Sequence, residues 1–197
     1  FNIPEDGYHG KEIVAIAKTI YDSYKEEKLT ENIEYFKQVG LNVLMQQIKK
    51  DLDNYRVNFD VFTSEQSLYE KGEVENVLNQ LKKNNDCYIK EDALWLNTSK
   101  YGDEKDRVIV KNDGNYTYFL PDIAYHVNKI KRGYQELIDV LGADHHGYIN
   151  RLKASLEILG YDSSILNVKI LQMVRLLKDG EEVKISKRTG KTITLND

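Results

Sequence analysis

Apolar positions recur every three to four residues through much of the first half of the chain, the spacing of an amphipathic helix. Ile13, Ile16, Ala17, Ile20 and Tyr24 predict a first helix from Lys11. After a charged turn at Lys25–Leu29, a second helix is expected from about Thr30 into Tyr35-Phe36. A third places Val43, Leu44, Ile48 and Leu52 on one face and Gln46, Lys49, Lys50 and Asp53 on the other. Arg56–Phe62 alternates and predicts a strand. Ser64-Glu65-Gln66-Ser67 has the residues of a helix start, and Val74, Val77, Leu78 and Leu81 give Glu73–Lys83 one apolar face. Phe1–Tyr8, broken by Pro4 and Gly7, is expected to be a loop.

From Asn84 the period changes to that of strands. Cys87–Lys90, Ala93–Thr98 and Arg107–Lys111 are the expected strands, with turns at Glu91-Asp92 and Asn112–Asn115. Tyr116–Leu120 continues in that style, and a helix is expected from Pro121-Asp122 to Gly133. Leu137–Leu141 is a short apolar run of the size of a buried parallel strand. Small and polar residues, Gly142–Gly147, interrupt it. Ile149, Leu152, Leu156 and Leu159 then predict a helix stopped by Gly160. Leu166–Leu177 is expected to be one long strand, Asp179-Gly180 a hairpin turn, and Val183–Ile185 its return.

Composition narrows the class. The 197 residues suffice for one sizeable core or two modest ones, and no apolar run approaches the ~20 residues of a membrane span. With one cysteine, Cys87, no internal disulfide can form, and an intracellular, cytoplasmic protein without a membrane partner is expected. Opening at Phe1 and closing at Asp197 in a polar stretch, the chain is expected to be an excised piece. Lys and Arg number 14 against 21 Asp and Glu up to Asp106, and 14 against 11 from Arg107 on. The basic surplus of the second part suits an anionic ligand.

Candidate chemistry lies in that second part. A strand, tight turn and helix at Leu137–Leu159 is the unit that sets backbone N–H groups at the carboxyl edge of a sheet, where doubly wound folds bind ligands; a plain βα connection has the same pattern. Asp122 stands at a strand-to-helix junction one turn from Tyr118. It suits a cationic ligand, and equally it suits the helix dipole alone. Lys184-Ile185-Ser186-Lys187-Arg188-Thr189-Gly190-Lys191 packs four cations among Ser, Thr and Gly, fit for polyphosphate or for a solvated turn. His145-His146 with Asp144 could bind a metal, but neighbouring histidines diverge and no further Cys or His stands at ligand spacing, so no metal site is expected.

Three segments in order carry a resemblance: Tyr116–His126 (YTYFLPDIAYH), Leu141–Leu152 (LGADHHGYINRL) and Gln172–Gly190 (QMVRLLKDGEEVKISKRTG). Together they closely resemble arginyl-tRNA synthetase of the bacterial type, in class I. KISKR resembles the KMSKS loop of that class, with Ile185 in place of Met. Gly7–Gly10, Phe59–Phe62, Asp92–Trp95 and Gly102–Arg107 are also similar, so the resemblance covers essentially the whole chain.

The resemblance implies an α/β fold: the second half of a Rossmann-like class I catalytic domain, at 107–197, preceded by a mostly helical, α+β inserted connective region at 1–106. It implies arginine–tRNA ligase activity through arginyl-adenylate, with L-arginine, ATP (with Mg2+ accompanying it) and tRNA(Arg) as partners and a monomeric protein. Tyr118, Asp122 and His145 match arginine-binding positions, Asp122 taking the planar guanidinium fork. Gly142, Asp144, His146 and Lys187 match ATP-binding positions, the division of Asp144, His145 and His146 between arginine and ATP staying open. Lys184, Ser186, Lys187 and Arg188 match the catalytic loop. The HIGH signature and the helical anticodon-binding domain are absent, so half an active site is expected, inactive by itself. Two other readings stay open: a smaller nucleotidyltransferase of the same nucleotide fold, and a non-catalytic RNA-binding or interaction module, against which the acidic first part argues.

Overall fold

The computed structural model describes residues 10–24, 32–178 and 180–182. They fall into two compact units, Phe1–Val61 with Arg175–Asp197, and Phe62–Val174. The expected boundary at 106/107 lies inside the second unit.

In the first unit, helix α1 (Lys11–Tyr24) buries Ile16 and Ile20 on the face predicted for it, and packs on helix α2 (Ile33–Asn54). The side chain of Asn32 caps α2 by accepting the Tyr35 N–H at 3.0 Å. The second and third helices expected from the sequence are thus one helix of 22 residues. Gly40 lies inside it; an interior glycine costs about 1 kcal/mol, too little to break a cooperative ladder that contains no proline. The helix ends where Arg56 takes φ 59°. The strand expected over Arg56–Phe62 is absent from the structure: the segment turns, and Val57, Phe59, Val61 and Phe62 are exposed. Alternation suffices for a strand only where another strand supplies the ladder. β6 (Leu177–Lys178) and β7 (Glu181–Glu182) form the expected hairpin, with Gly180 at φ 85°. The predicted loop Phe1–Tyr8, the turn at 25–29, the return strand Val183–Ile185 and the whole basic run 184–191 lie outside the described residues.

The second unit holds the core. α3 (Glu65–Glu70) and α4 (Glu73–Lys83) pack on each other and on α5 (Phe119–Lys131). The predicted stripe Val74, Val77, Leu78 and Leu81 is buried, against Leu120, Ile123 and Val127 of α5 among others. β1 (Cys87–Lys90), β2 (Ala93–Leu96) and β3 (Arg107–Val110) make an antiparallel sheet in that order. Its first turn sets Glu91 and Asp92 at φ 52° and 57°, the left-handed pair that a two-residue hairpin requires. The expected strand Tyr116–Leu120 is reduced to a bridge from Tyr116 to Val110, and α5 begins at Phe119, ahead of Pro121. Proline is tolerated there because the first N–H groups of a helix have no intrahelical acceptor to lose.

β4 (Leu137–Gly142), α6 (Tyr148–Ile158) and β5 (Leu166–Leu171) form a parallel strand–helix–strand unit in register from Leu137↔Leu166 to Gly142↔Leu171. α6 buries Leu152 and Leu156, and Gly160 terminates it at φ 82°. The strand expected over Leu166–Leu177 stops at Leu171, because β4 leaves the ladder there for a 3-10 turn at Ala143–His145 and offers no partner beyond Gly142.

Candidate functional site

Two helix starts converge beyond the carboxyl end of β4. Tyr118 is the residue before α5 and is 85% exposed. Asp122 follows in the first turn of α5, where the helix dipole favours its charge. Tyr148 is the first residue of α6 and reaches across to it: its hydroxyl donates to Asp122 Oδ2 at 2.5 Å. Burial first, and the facing carboxylate second, push the Tyr148 phenol far above its ordinary pKa, so it stays a donor. The His145 ring stands edge-on to Tyr148, 6.2 Å between centroids, and Phe119 stands edge-on at 6.0 Å. Tyr148 therefore joins Asp122 and His145, two residues 23 positions apart in the sequence.

The turn itself is open to solvent. Gly142 ends β4, and a Cβ there would come 2.7 Å from Asp144 Oδ1, so Asp144 would have to turn away. Asp144, His145 and His146 are exposed, and His145 Nε2 lies 3.7 Å from Asp144 Oδ2. Among the described residues no group of three His, Cys, Asp or Glu could hold a metal ion. Lys184, Ser186, Lys187 and Arg188 lie outside the described residues.

Cavities open on both sides of this junction. One of about 120 Å³ is lined by Asp122 and Tyr125 of α5 with Thr63 and Glu65, two carboxylates in a small space. The other, of about 370 Å³, is lined by Tyr118, Tyr148, Thr117 and the cations Arg107 and Arg151. Arg107 is committed: its Nε and Nη2 reach the two oxygens of buried Asp103 at 2.7 Å each, and Thr98 donates to the same carboxylate at 3.0 Å. Burial would raise the Asp103 carboxyl, but these donors hold it below its ordinary range. Arg151 lies over the Tyr148 ring at 4.9 Å.

A second group holds α5 from beneath. Buried His126 donates from Nδ1 to the Asp122 carbonyl oxygen at 2.7 Å, which as an acceptor requires the proton on that nitrogen, and its Nε2 stands 2.7 Å from Asp139 Oδ2. Lys129 Nζ reaches Asp139 Oδ1 at 2.9 Å. Burial works to raise the Asp139 carboxyl, yet the hydrogen bonds from His126 and Lys129 keep it at about 2. The sequence pattern gives His126 a place in the helix and no role, and does not single out Tyr148, Arg151 or Asp139. Tyr148 stands three residues after His145, the spacing of neighbours on one helical turn, and that was the available signal.

Comparison with known proteins bears on what this arrangement belongs to. A family model described as the catalytic domain of class I tRNA synthetases (R) matches residues 6–197. Arginine–tRNA ligases of Shouchella clausii and Bacillus subtilis are 52% and 47% identical to the chain, each over 99% of it and over 36% of their own length. A solved Campylobacter jejuni structure described as an arginyl-tRNA synthetase superposes with a TM-score of 0.86 at 40% identity, over 99% of this chain and 42% of that one. Thermus thermophilus arginyl-tRNA synthetase, at 14% identity and a TM-score of 0.61 over 93% of this chain and 37% of that one, shares the fold. The chain spans about a third of the length of the curated relatives it matches. With the model covering nearly all its residues, and its mixed helix-and-sheet architecture matching those structures, the chain belongs to the class I tRNA synthetase (R) catalytic-domain family.

Proposed function

We propose that this chain works as part of an arginine–tRNA ligase, supplying the side of the active site that reads the amino acid. The observation that carries this is the Asp122 carboxylate, at the start of α5, held by Tyr148 beside exposed Tyr118 and His145. A carboxylate so held meets the guanidinium of L-arginine through charge-assisted hydrogen bonds, and Tyr118 flanks it. The arginine carboxylate attacks the α-phosphate of ATP, giving arginyl-adenylate and pyrophosphate; the arginyl group then passes to the terminal ribose of tRNA(Arg). No protein nucleophile takes part, so catalysis is positioning and charge stabilisation. Gly142, Asp144 and His146 border the ATP side with Lys187, which steadies the phosphates as pyrophosphate leaves; Lys184, Ser186 and Arg188 complete the loop, its cations neutralising charge and the Ser186 hydroxyl donating a hydrogen bond. In this proposal magnesium accompanies the ATP phosphates.

In such a ligase, 1–106 is a connective insertion and 107–197 the second half of the nucleotide-binding domain. The protein is read as a cytoplasmic monomer. In the full-length protein, Asp122→Asn is expected to weaken arginine binding by roughly 100-fold while leaving ATP binding within about twofold. Equal loss of both, or of neither, in equilibrium binding would count against the assignment. The 197-residue chain alone is expected to show no arginine-dependent ATP–pyrophosphate exchange, and measurable exchange would refute the reading of it as half a site.

A further inference from the structure

We propose that Tyr148 is a positioning residue that sets the plane of the Asp122 carboxylate and so makes the site discriminate a planar guanidinium from a simple ammonium. This rests on the arginine-ligase reading above. An aspartate on a helix rotates about its last side-chain bond with little resistance. A guanidinium fork binds bidentately only when both carboxylate oxygens lie in its plane, whereas an ammonium is a point charge that a carboxylate attracts in any rotation. Asp122 therefore needs a fixed plane to be selective, and charge alone does not give it one.

The structure supplies that plane from three sides. The Tyr148 hydroxyl donates to Oδ2 at 2.5 Å, pinning one oxygen. Each carboxylate oxygen accepts two hydrogen bonds, so Oδ1 and the second lone pair of Oδ2 stay available to a fork. The tyrosine is itself immobilised: it is half-buried, Phe119 meets its ring at an 83° interplanar angle, and the Arg151 guanidinium covers it. Arg151 Nε is buried and has no hydrogen-bond partner among the described residues, and its guanidinium carbon lies 4.9 Å from the Tyr148 ring centroid, a cation–π contact. Below, His126 fixes the Asp122 carbonyl oxygen, and with it the helical backbone from which the carboxylate projects. Ring, carboxylate and backbone are thus each held by a contact of their own. The shift of the phenol away from ionisation keeps the donor in place at any working pH.

The test uses the full-length protein, with arginine and lysine competed against labelled arginine at equilibrium. Tyr148→Phe removes the hydroxyl and keeps the ring under Arg151. The expected result is arginine affinity lowered roughly tenfold and lysine affinity changed less than about twofold, so that the preference for arginine falls roughly tenfold. The KM for ATP and the melting temperature should stay at wild-type values. A purely structural tyrosine would instead weaken arginine, lysine and ATP together. An unchanged arginine-to-lysine ratio overturns the proposal. Should the Phe variant not fold, Arg151→Gln leaves the hydroxyl but frees the ring; it should shift the same ratio in the same direction, by roughly threefold, and an unchanged ratio there overturns the proposal equally. Wild-type protein that charges no tRNA(Arg) with arginine would defeat the ligase reading itself, a result separate from either variant's.

Discussion

Single residues in this chain carry more than their local pattern declares. Asp122 has the sequence position of an ordinary first-turn acid, and the dipole alone would account for it. Its hydrogen bond from Tyr148 distinguishes it. Arg107 illustrates the opposite case. It is a cation in the basic second part of the chain, in a segment shared with the family, yet both its Nε and Nη2 are spent on Asp103. Asp103→Ala is accordingly expected to destabilise the protein by about 3–5 kcal/mol in urea unfolding, because it strands a largely buried guanidinium, while the Thr98 hydroxyl keeps the Lys105 carbonyl as acceptor at 2.9 Å. A loss under 1 kcal/mol would mean water replaces the carboxylate there. Glycine shows the same division. Gly160 and Gly133 adopt φ 82° and 92° at helix ends, as their positions in the pattern predicted, while Gly40 sits unremarked in the middle of α2.

Elements are joined by polar ties that periodicity does not register. The most consequential is His126–Asp139–Lys129, which fastens α5 to β4. Its pH behaviour follows from the depressed Asp139 carboxyl, at about 2 against an unfolded value near 4. A group whose folded pKa is lowered contributes stability that is full above the unfolded value and is lost as pH falls through the folded one. The contribution, on the order of 2 kcal/mol, should therefore hold from neutral pH down to about 4 and vanish between about 4 and 2. Asp139→Asn is expected to lower stability at pH 7 by about that amount and to flatten the loss below pH 4. Parallel pH curves for the two proteins, from thermal or urea unfolding, would show that the tie contributes no pH-dependent stability. The helices themselves were legible wherever an apolar stripe met a core: α4 buries each residue its pattern marked. Two of the missed strands share one cause. Arg56–Phe62 alternates and Leu166–Leu177 is rich in apolar residues, but a strand exists only as far as its partner runs, and the partner lies elsewhere in the chain.

At the scale of the whole molecule, the principal core, from Leu68 to Leu166, lies entirely within Phe62–Val174. A polypeptide of residues 62–174 is therefore expected to unfold cooperatively by itself, and Leu81→Ala within it to cost about 2–5 kcal/mol by urea denaturation. A broad, non-cooperative transition would mean that this unit draws its stability from outside those residues. The sequence by itself determined the α/β class, most helical faces, the hairpin turns and, through three ordered segments, the family. These depend on residues near one another in the chain, where spacing and turn chemistry are decided locally. Only the tertiary structure decided that Tyr148 would meet Asp122 across 26 positions, that His126 would find Asp139, and where β5 would end. Such pairings follow from how helices and strands pack against each other, and a linear pattern of apolar and polar residues carries no record of which distant side chain arrives opposite.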